Sequence, residues 1–388
     1  MSSVLISAGE ISGDLHGSYL VQEMHKQAHD VEFFGIGGNE MRAAGVTLYY
    51  HIDRMGIVGI TEAIRQLWSV RRVLNELRDL MEQKRPNLVI LIDYPGFNLQ
   101  LAKMASQLSI PVLYYIAPQV WAWGTRRLKT IARYVDRVAV ILPFEADIYR
   151  RASVEVEFVG HPLLERLDCR TGKKQFFNRL GFDKAPLLLG LLPGSRPNEI
   201  RRLLPIMLQT AKRARETVAD LQMVVAAASA TDVSQIEEII QQHNVTVPVI
   251  QEATQAVMNF SDLLLIASGT ATLEAACYGT PSLILYKVSF ITWLLAKLLV
   301  KIPLIGLVNV VAGKEIVPEY IQFDATPEKI ASGVIHLLND EKRRQDMRFE
   351  MKKVREKLGE PGASVRTARI ALEMLKPKNH SSRVRNEE

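Results

Sequence analysis

The chain has 388 residues, 48% hydrophobic and 23% charged, which is the balance of a soluble globular protein long enough for two domains. Its 48 Lys and Arg against 42 Asp and Glu leave a mild +6, which suits an acidic small ligand or an anionic membrane surface. With no RNA-module signature, zinc finger or basic arm before the last dozen residues, no nucleic-acid partner is expected.

Taken in chain order, the apolar run "VLIS" (4–7) reads as a strand entering the loop "SAGEISGDLHG" (7–17). Gly9 and Gly13 do not have the G-x-G-x-x-G spacing of a dinucleotide loop, and no Lys follows as in a Walker loop. The carboxylates of Glu10 and Asp14 oppose a phosphate, so hydroxyls or cations are the expected company. "EFFGIG" (32–37) and "TLYYH" (47–51) are the next strands.

The stretch 55–81 carries two apolar stripes at helical spacing. Ala63, Leu67, Val70, Leu74, Leu77 and Met81 read as core. Ile57, Ile60, Ile64 and Trp68 form a second stripe flanked by Arg65, Arg71 and Arg72, the pattern of an interfacial membrane segment. The apolar segment 289–309, with Trp293 and broken by Lys297 and Lys301, is a second such candidate, and neither run is long enough to span a bilayer.

"NLVILID" (87–93) ends on Asp93, followed by "YPGFN". A carboxylate at a strand's carboxyl end suits a general base, and equally a turn or N-cap aspartate. "PVLYYIA" (111–117) leads to Gln119, Trp121 and Trp123, whose aromatic faces suit sugar rings as well as a core. "RVAVIL" (137–142) and "VEFVG" (156–160) complete a first set of strands alternating with helices, the signature of a covered parallel sheet.

After a polar interruption the alternation restarts with "LLLGLLPGSR" (187–196), "LQMVVAA" (221–227), "VPVIQ" (247–251), "DLLLIASGT" (262–270) and "PSLILYKV" (281–288). Gly194, Ser195 and Arg196 precede a helix start, where free N–H groups and a guanidinium suit a phosphate. In "ASGTATLE", Gly269 allows close backbone approach, Ser268 and Thr270 bring hydroxyls, and Glu274 can accept both hydroxyls of a ribose. Thr270 and Glu274 are one residue too far apart for a capping box. Cys169 and Cys277 form neither a disulfide framework nor a metal-ligand spacing, and the N-terminus has no secretory-leader pattern, so a reducing compartment is expected.

"SAGEISGD", "MGIVGI", "IDYPGFN", "APQVWAWG", "LPFE", "FVGHP", "LLPGSR", "ASGTATLE" and "LVNVVAG", in this order from residue 4 to about 375, resemble the lipid-A-disaccharide synthase family. The resemblance implies an α/β GT-B fold of two doubly wound Rossmann-like domains facing across a cleft. Residues 1–165 would form the acceptor side, 166–185 a linker, 186–375 the UDP-sugar domain with last helices free to pack on the first domain or a partner subunit, and 376–388 a disordered tail. It implies transfer of 2,3-diacylglucosamine from its UDP derivative to 2,3-diacylglucosamine 1-phosphate, with no metal or cofactor. A homodimer is compatible with it. So is a cytoplasmic enzyme peripheral to the inner face of the inner membrane.

Residue by residue, the resemblance makes Asp93 the base. Gly194, Ser195, Arg196, Ser268, Gly269, Thr270 and Glu274 become the UDP-sugar set, with Asn309 beside it. Glu10, Ser12, Gly13, Asp14 and Gln119 fall on the acceptor side. Where many members read "IDAPDFN", this chain has Tyr94 and Gly96, which leaves Asp93 the only acid of the motif. Another UDP-sugar enzyme of this fold, such as a 2-epimerase or the peptidoglycan glucosaminyltransferase, would not need the Ile/Trp/Arg stripe. A non-catalytic nucleotide- or lipid-binding protein would not need Asp93, Arg196 and Glu274 together.

Overall fold

The computed structural model of the chain describes residues 2–54, 60–123, 125–167, 171–182, 186–228, 230–251, 253–290, 293–294 and 304–376, with backbone alone at 54, 60–69, 122–123, 125–126 and 230–231. Two compact units divide it. One runs to Pro162 and resumes at Glu360, and the other is Leu163–Gly359.

The first unit is built on strands β1 (Ser2–Ala8), β2 (Val31–Gly37), β3 (Thr47–His51), β4 (Leu88–Ile92), β5 (Val112–Tyr115), β6 (Arg137–Val140) and β7 (Glu155–Phe158). They form one sheet in the order β3-β2-β1-β4-β5-β6-β7, every pair parallel. The continuous apolar composition of β4, "LVILI", follows from burial on both faces. Val89 and Leu91 enter one core layer with Leu5, Val112 and Tyr114, while Leu88, Ile90 and Ile92 enter the other with Val4, Ile6 and Tyr115. Each such Leu or Ile contributes roughly 1.5–3 kcal/mol of burial. Gly35 in β2 has φ +147°, and a Cβ there would strike the Ile6 carbonyl of β1, so only glycine lets these strands pair.

The helix Ala363–Leu375 belongs to this unit. Ala363, Ala368, Ile370 and Ala371 join the layer that also holds Leu20, Val21 and Met24 of the helix Ile11–Gln27. Arg366 Nε donates to the Val159 carbonyl at 2.7 Å, and Arg137 Nη1 reaches Glu373 at 2.9 Å. Of the placements the sequence left open for the last helices, this one packs on the first unit.

The second unit holds β8 (Leu187–Leu192), β9 (Leu221–Ala227), β10 (Val249–Gln251), β11 (Leu263–Ala267), β12 (Ser282–Tyr286) and β13 (Glu319–Ile321), all parallel, in the order β10-β9-β8-β11-β12-β13. The three-residue β13 has no hydrophobic pattern to announce it. Nor is the stretch 166–185 only a linker. Within it the helix Lys173–Arg179 buries Phe176 and Phe177, and the Phe176 ring lies 5.4 Å from that of Phe260.

In both sheets the chain builds outward on one side of the first strand and then returns to its other side. The reversal falls between β1 and β4 in the first unit and between β8 and β11 in the second. Ligands of doubly wound sheets bind outside the carboxyl ends of the strands at such a switch point.

Candidate active site

At the first unit's switch point, β1 runs into Gly9 and Glu10, and β4 runs into Asp93 and Tyr94. Asp93 and Tyr94 both have left-handed backbones, φ +46° and +49°, although neither is glycine. That conformation costs roughly 1–2 kcal/mol per residue, and the surrounding structure must over-determine it. The Asp93 carbonyl accepts from Asn98 Nδ2 at 2.7 Å and from the Tyr114 hydroxyl at 2.8 Å. Asn98, fully buried, donates also to the Ile92 carbonyl at 3.1 Å, and its Oδ1 accepts from Ser7 Oγ at 2.8 Å. Burial and the Asp93 charge hold the Tyr114 proton on well above the usual phenol range, so Tyr114 is a permanent donor.

The Asp93 carboxylate itself is half-buried at the rim. The Tyr94 ring stacks on Phe97 at 5.9 Å and lies over Gly9, where a Cβ would overlap it. Burial and the nearby Glu10 carboxylate raise the Tyr94 phenol pKa.

The opening loop divides into two roles. Glu10 and Ser12 are exposed, and Gly13 packs on Ala8. Asp14, expected to meet hydroxyls, is only 3% exposed. Its Oδ1 accepts from the backbone N–H groups of Gly38 and Met41 at 2.6 and 3.0 Å, and its Oδ2 from that of Glu40 at 3.0 Å. Asp14 is thus corrected to a structural carboxylate that caps the helix Asn39–Ala43. Gln119 is exposed beyond the end of β5.

At the second unit's switch point, β8 leads to Gly194, Ser195 and Arg196, and β11 to Ser268, Gly269 and Thr270. Gly194 has φ +110°, and Glu199 closes over it so tightly that a Cβ would collide. Arg196 stands at the N-cap of the helix Pro197–Thr217, its side chain 72% exposed and its Nη1 3.6 Å from Glu199. Ser195 and Thr270 are exposed. Ser268 Oγ donates to the Ile305 carbonyl at 3.0 Å. Gly269 caps the helix Thr270–Tyr278 without a side chain, and the space a Cβ would take is open. Glu274, half-buried, has its pKa raised by burial against the opposing pull of Arg166 and Gln255.

Asn309 is fully buried, and its amide is committed. Its Nδ2 donates to the Val317 carbonyl and to Glu319 Oε1 at 2.7 and 2.8 Å, while its Oδ1 accepts from the Ile316 and Val317 N–H groups. Asn309 is corrected from a nucleotide contact to a loop anchor. Glu319, which the sequence reading missed, also accepts from the N–H groups of Ile305 and Gly306 at 2.9 Å each. A carboxylate of the chain therefore fills the start of the helix Leu307–Ala312.

Ile57 lies outside the described residues, and Ile60, Ile64, Arg65 and Trp68 have only their helical backbone described, within the helix Ile60–Lys84. Arg71 and Arg72 are exposed, while Leu74, Leu77 and Met81 are buried as the core stripe requires. Lys297 and Lys301 also lie outside the described residues. Trp293 is half-buried between Phe290 and Phe323, whose rings lie 6.0 and 5.2 Å from its own. Among the described residues no helix is long and apolar enough to cross a membrane, and no cluster of His, Cys, Asp and Glu is arranged to hold a metal ion.

The structure resembles that of UDP-GlcNAc 2-epimerase from Neisseria meningitidis bound to UDP-GlcNAc, with a TM-score of 0.66 at 15% identity over 96% of this chain and 100% of that one. The same enzyme from Methanocaldococcus jannaschii, in complex with UDP-GlcNAc and UDP, matches with a TM-score of 0.61 at 15% identity over 96% and 100%. At these identities the likeness establishes the fold, two parallel-sheet α/β domains of GT-B type. In sequence, the chain is 44% identical to the lipid-A-disaccharide synthase of Syntrophus aciditrophicus over 96% of this chain and 98% of that one. It is 43% identical to that of Geobacter sulfurreducens over 96% and 97%. The lipid-A-disaccharide synthetase family model matches residues 4–374. By sequence over nearly its whole length, and by a fold to match, this chain belongs to the lipid-A-disaccharide synthetase family of glycosyltransferases.

Proposed function

We propose that the chain joins UDP-2,3-diacylglucosamine to 2,3-diacylglucosamine 1-phosphate, giving the β-1',6-linked disaccharide 1-phosphate and UDP with inversion at the transferred anomeric carbon. The observation that carries this reading is Asp93, a carboxylate at a switch-point rim on a strained backbone fixed by Asn98 and Tyr114. A base held this way takes the proton of the acceptor's 6-hydroxyl as its oxygen bonds to the anomeric carbon and the bond to UDP breaks. Arg196 and the helix starts at Pro197 and Thr270 offset the charge growing on the departing diphosphate. Glu274 takes the ribose hydroxyls, and Gly194, Ser195, Ser268 and Gly269 shape the loops around UDP. Glu10, Ser12, Gly13 and Gln119 border the acceptor.

Because both substrates carry acyl chains, the enzyme works as a peripheral protein on an anionic membrane surface, the inner face of the inner membrane. The stripe Ile57, Ile60, Ile64 and Trp68 enters the interface, and Arg65, Arg71 and Arg72 meet the headgroups. The test is turnover of the two diacylated substrates with mass detection. A disaccharide 1-phosphate and UDP in equal amounts are expected. Epimerised UDP-sugar, or no product at all, overturns the reading.

A further inference from the structure

A second polar constellation lies on the same carboxyl edge as Asp93. β5 pairs with β4 so that Tyr115 faces Ile92, and β6 pairs with β5 so that Ala139 faces Tyr115. The chain leaving β5 enters the short helix Val120–Trp123, and the chain leaving β6 enters the helix Glu145–Arg151. Glu145 sits between them, 2% exposed. Its Oε1 accepts from Trp121 Nε1 at 3.1 Å and its Oε2 from the Leu142 N–H at 3.2 Å. Phe144 meets the Trp121 ring edge-to-face, centroids 5.3 Å apart at 81°. The Tyr149 hydroxyl donates to the Pro118 carbonyl at 2.9 Å, which fixes the start of the turn that carries Trp121.

Burying a carboxylate is costly, and a hydrophobic residue would fill the space at less expense. What the carboxylate provides here is a fixed plane for Trp121, whose indole is only half-buried. A large aromatic ring with its N–H tethered and part of its surface open is a rigid stacking platform.

We propose that Trp121 is the platform on which the pyranose ring of the acceptor sugar stacks, and that Glu145 is a positioning residue that sets the plane of the indole. This rests on the reading of the first unit as the acceptor side. Neither residue exchanges protons with substrate.

The test measures initial rates with each substrate varied against a saturating partner, and UDP affinity by calorimetry, for the parent, Trp121→Ala, Trp121→Phe, Glu145→Gln and the double variant Trp121→Ala/Glu145→Gln. Loss of the platform raises the acceptor KM about tenfold, with the donor KM and UDP affinity unchanged. Trp121→Phe, which keeps a ring face, gives a smaller rise, as does Glu145→Gln. The double variant behaves like Trp121→Ala alone, because Glu145 acts only through the ring. An unchanged acceptor KM overturns the proposal, and so does an equal rise in the donor KM. An effect that vanishes with a short-chain acceptor means that the ring serves the acyl chains, which also overturns it. If Trp121→Ala does not fold, Trp121→Phe and Glu145→Gln decide by the same readings. A parent that turns over no acceptor sinks the transferase reading and the platform with it, whereas an active parent with an indifferent Trp121 sinks the platform alone.

Discussion

Asn98 Nδ2 lies 2.7 Å from the Asp93 carbonyl oxygen, while the Asn98 backbone N–H donates to the Tyr94 carbonyl at 3.0 Å. One buried residue, through its side-chain amide and its backbone N–H, thus clamps both residues of the left-handed pair that ends β4. An unstrained turn there would aim the Asp93 carboxylate elsewhere, so this contact, rather than the strand alone, sets the direction of the candidate base.

Replacing Asp93 by Asn keeps the volume and removes the basicity. The expected result is a fall in kcat of about 10²–10⁴ with UDP affinity close to that of the parent. Near-normal turnover in a steady-state assay removes Asp93 from the chemistry.

Asn98→Ala leaves Ser7 Oγ and the Asp93 carbonyl each short of a partner in a buried site. A stability loss of about 1–3 kcal/mol is expected in urea unfolding, together with a lower kcat and an unaltered donor KM. A variant equally destabilised but fully active would show that the clamp serves the fold only.

Arg196→Ala weakens UDP binding through the diphosphate, and Glu274→Ala through the ribose. Asn309→Ala behaves differently: it lowers the unfolding midpoint, because its amide holds Glu319 and the 316–317 backbone. Calorimetry and thermal melts on the same three samples separate the cases. Parent-like UDP affinity in the first two rejects the nucleotide assignment.

Two buried groups make opposite contributions to stability against pH. Burial raises Glu145 from 4.5 to about 7, so between these values the folded chain binds the extra proton and stability falls as pH rises. Burial, with His16 nearby, lowers His161 from 6.5 to about 3, so its contribution is present above 6.5 and is lost as pH falls toward 3. The slopes oppose between 4.5 and 6.5. Glu145→Gln removes one, and its unfolding free energy therefore rises with pH across that window more steeply than that of the parent, by about 1 kcal/mol per pH unit. Parallel curves for the two proteins contradict the buried ionisation of Glu145.

Ile64→Ser with Trp68→Ser is expected to release the protein from anionic vesicles and lower activity on vesicle-borne substrate, with fold and UDP affinity retained. If this stripe is the membrane contact, each of Arg65, Arg71 and Arg72 adds roughly 1 kcal/mol of salt-screened attraction, and release is expected to be more complete at higher ionic strength. Co-sedimentation equal to that of the parent at moderate salt moves the membrane contact to the region of Trp293.

The layers of this protein are legible in its amino-acid order. Runs such as "LVILI" and "LLLIA" must be buried on both faces, and the helical stretches between them must cover a parallel sheet, because period and composition are local properties. It also marked the loops after β1, β4, β8 and β11, since glycines and short polar side chains at strand ends are visible one residue at a time. Which of those polar groups already have partners follows from the packed chain. Asp14 and Glu10 look alike in "GEISGD", yet the start of the helix Asn39–Ala43 consumes Asp14 and leaves Glu10 exposed. Asn309, Glu319 and Glu145 find partners 3 to 24 residues away, and the last helix returns to a sheet begun at the other end of the chain. A carboxylate's role depends on which N–H groups the packed chain brings within 3 Å of it, and no local pattern records that.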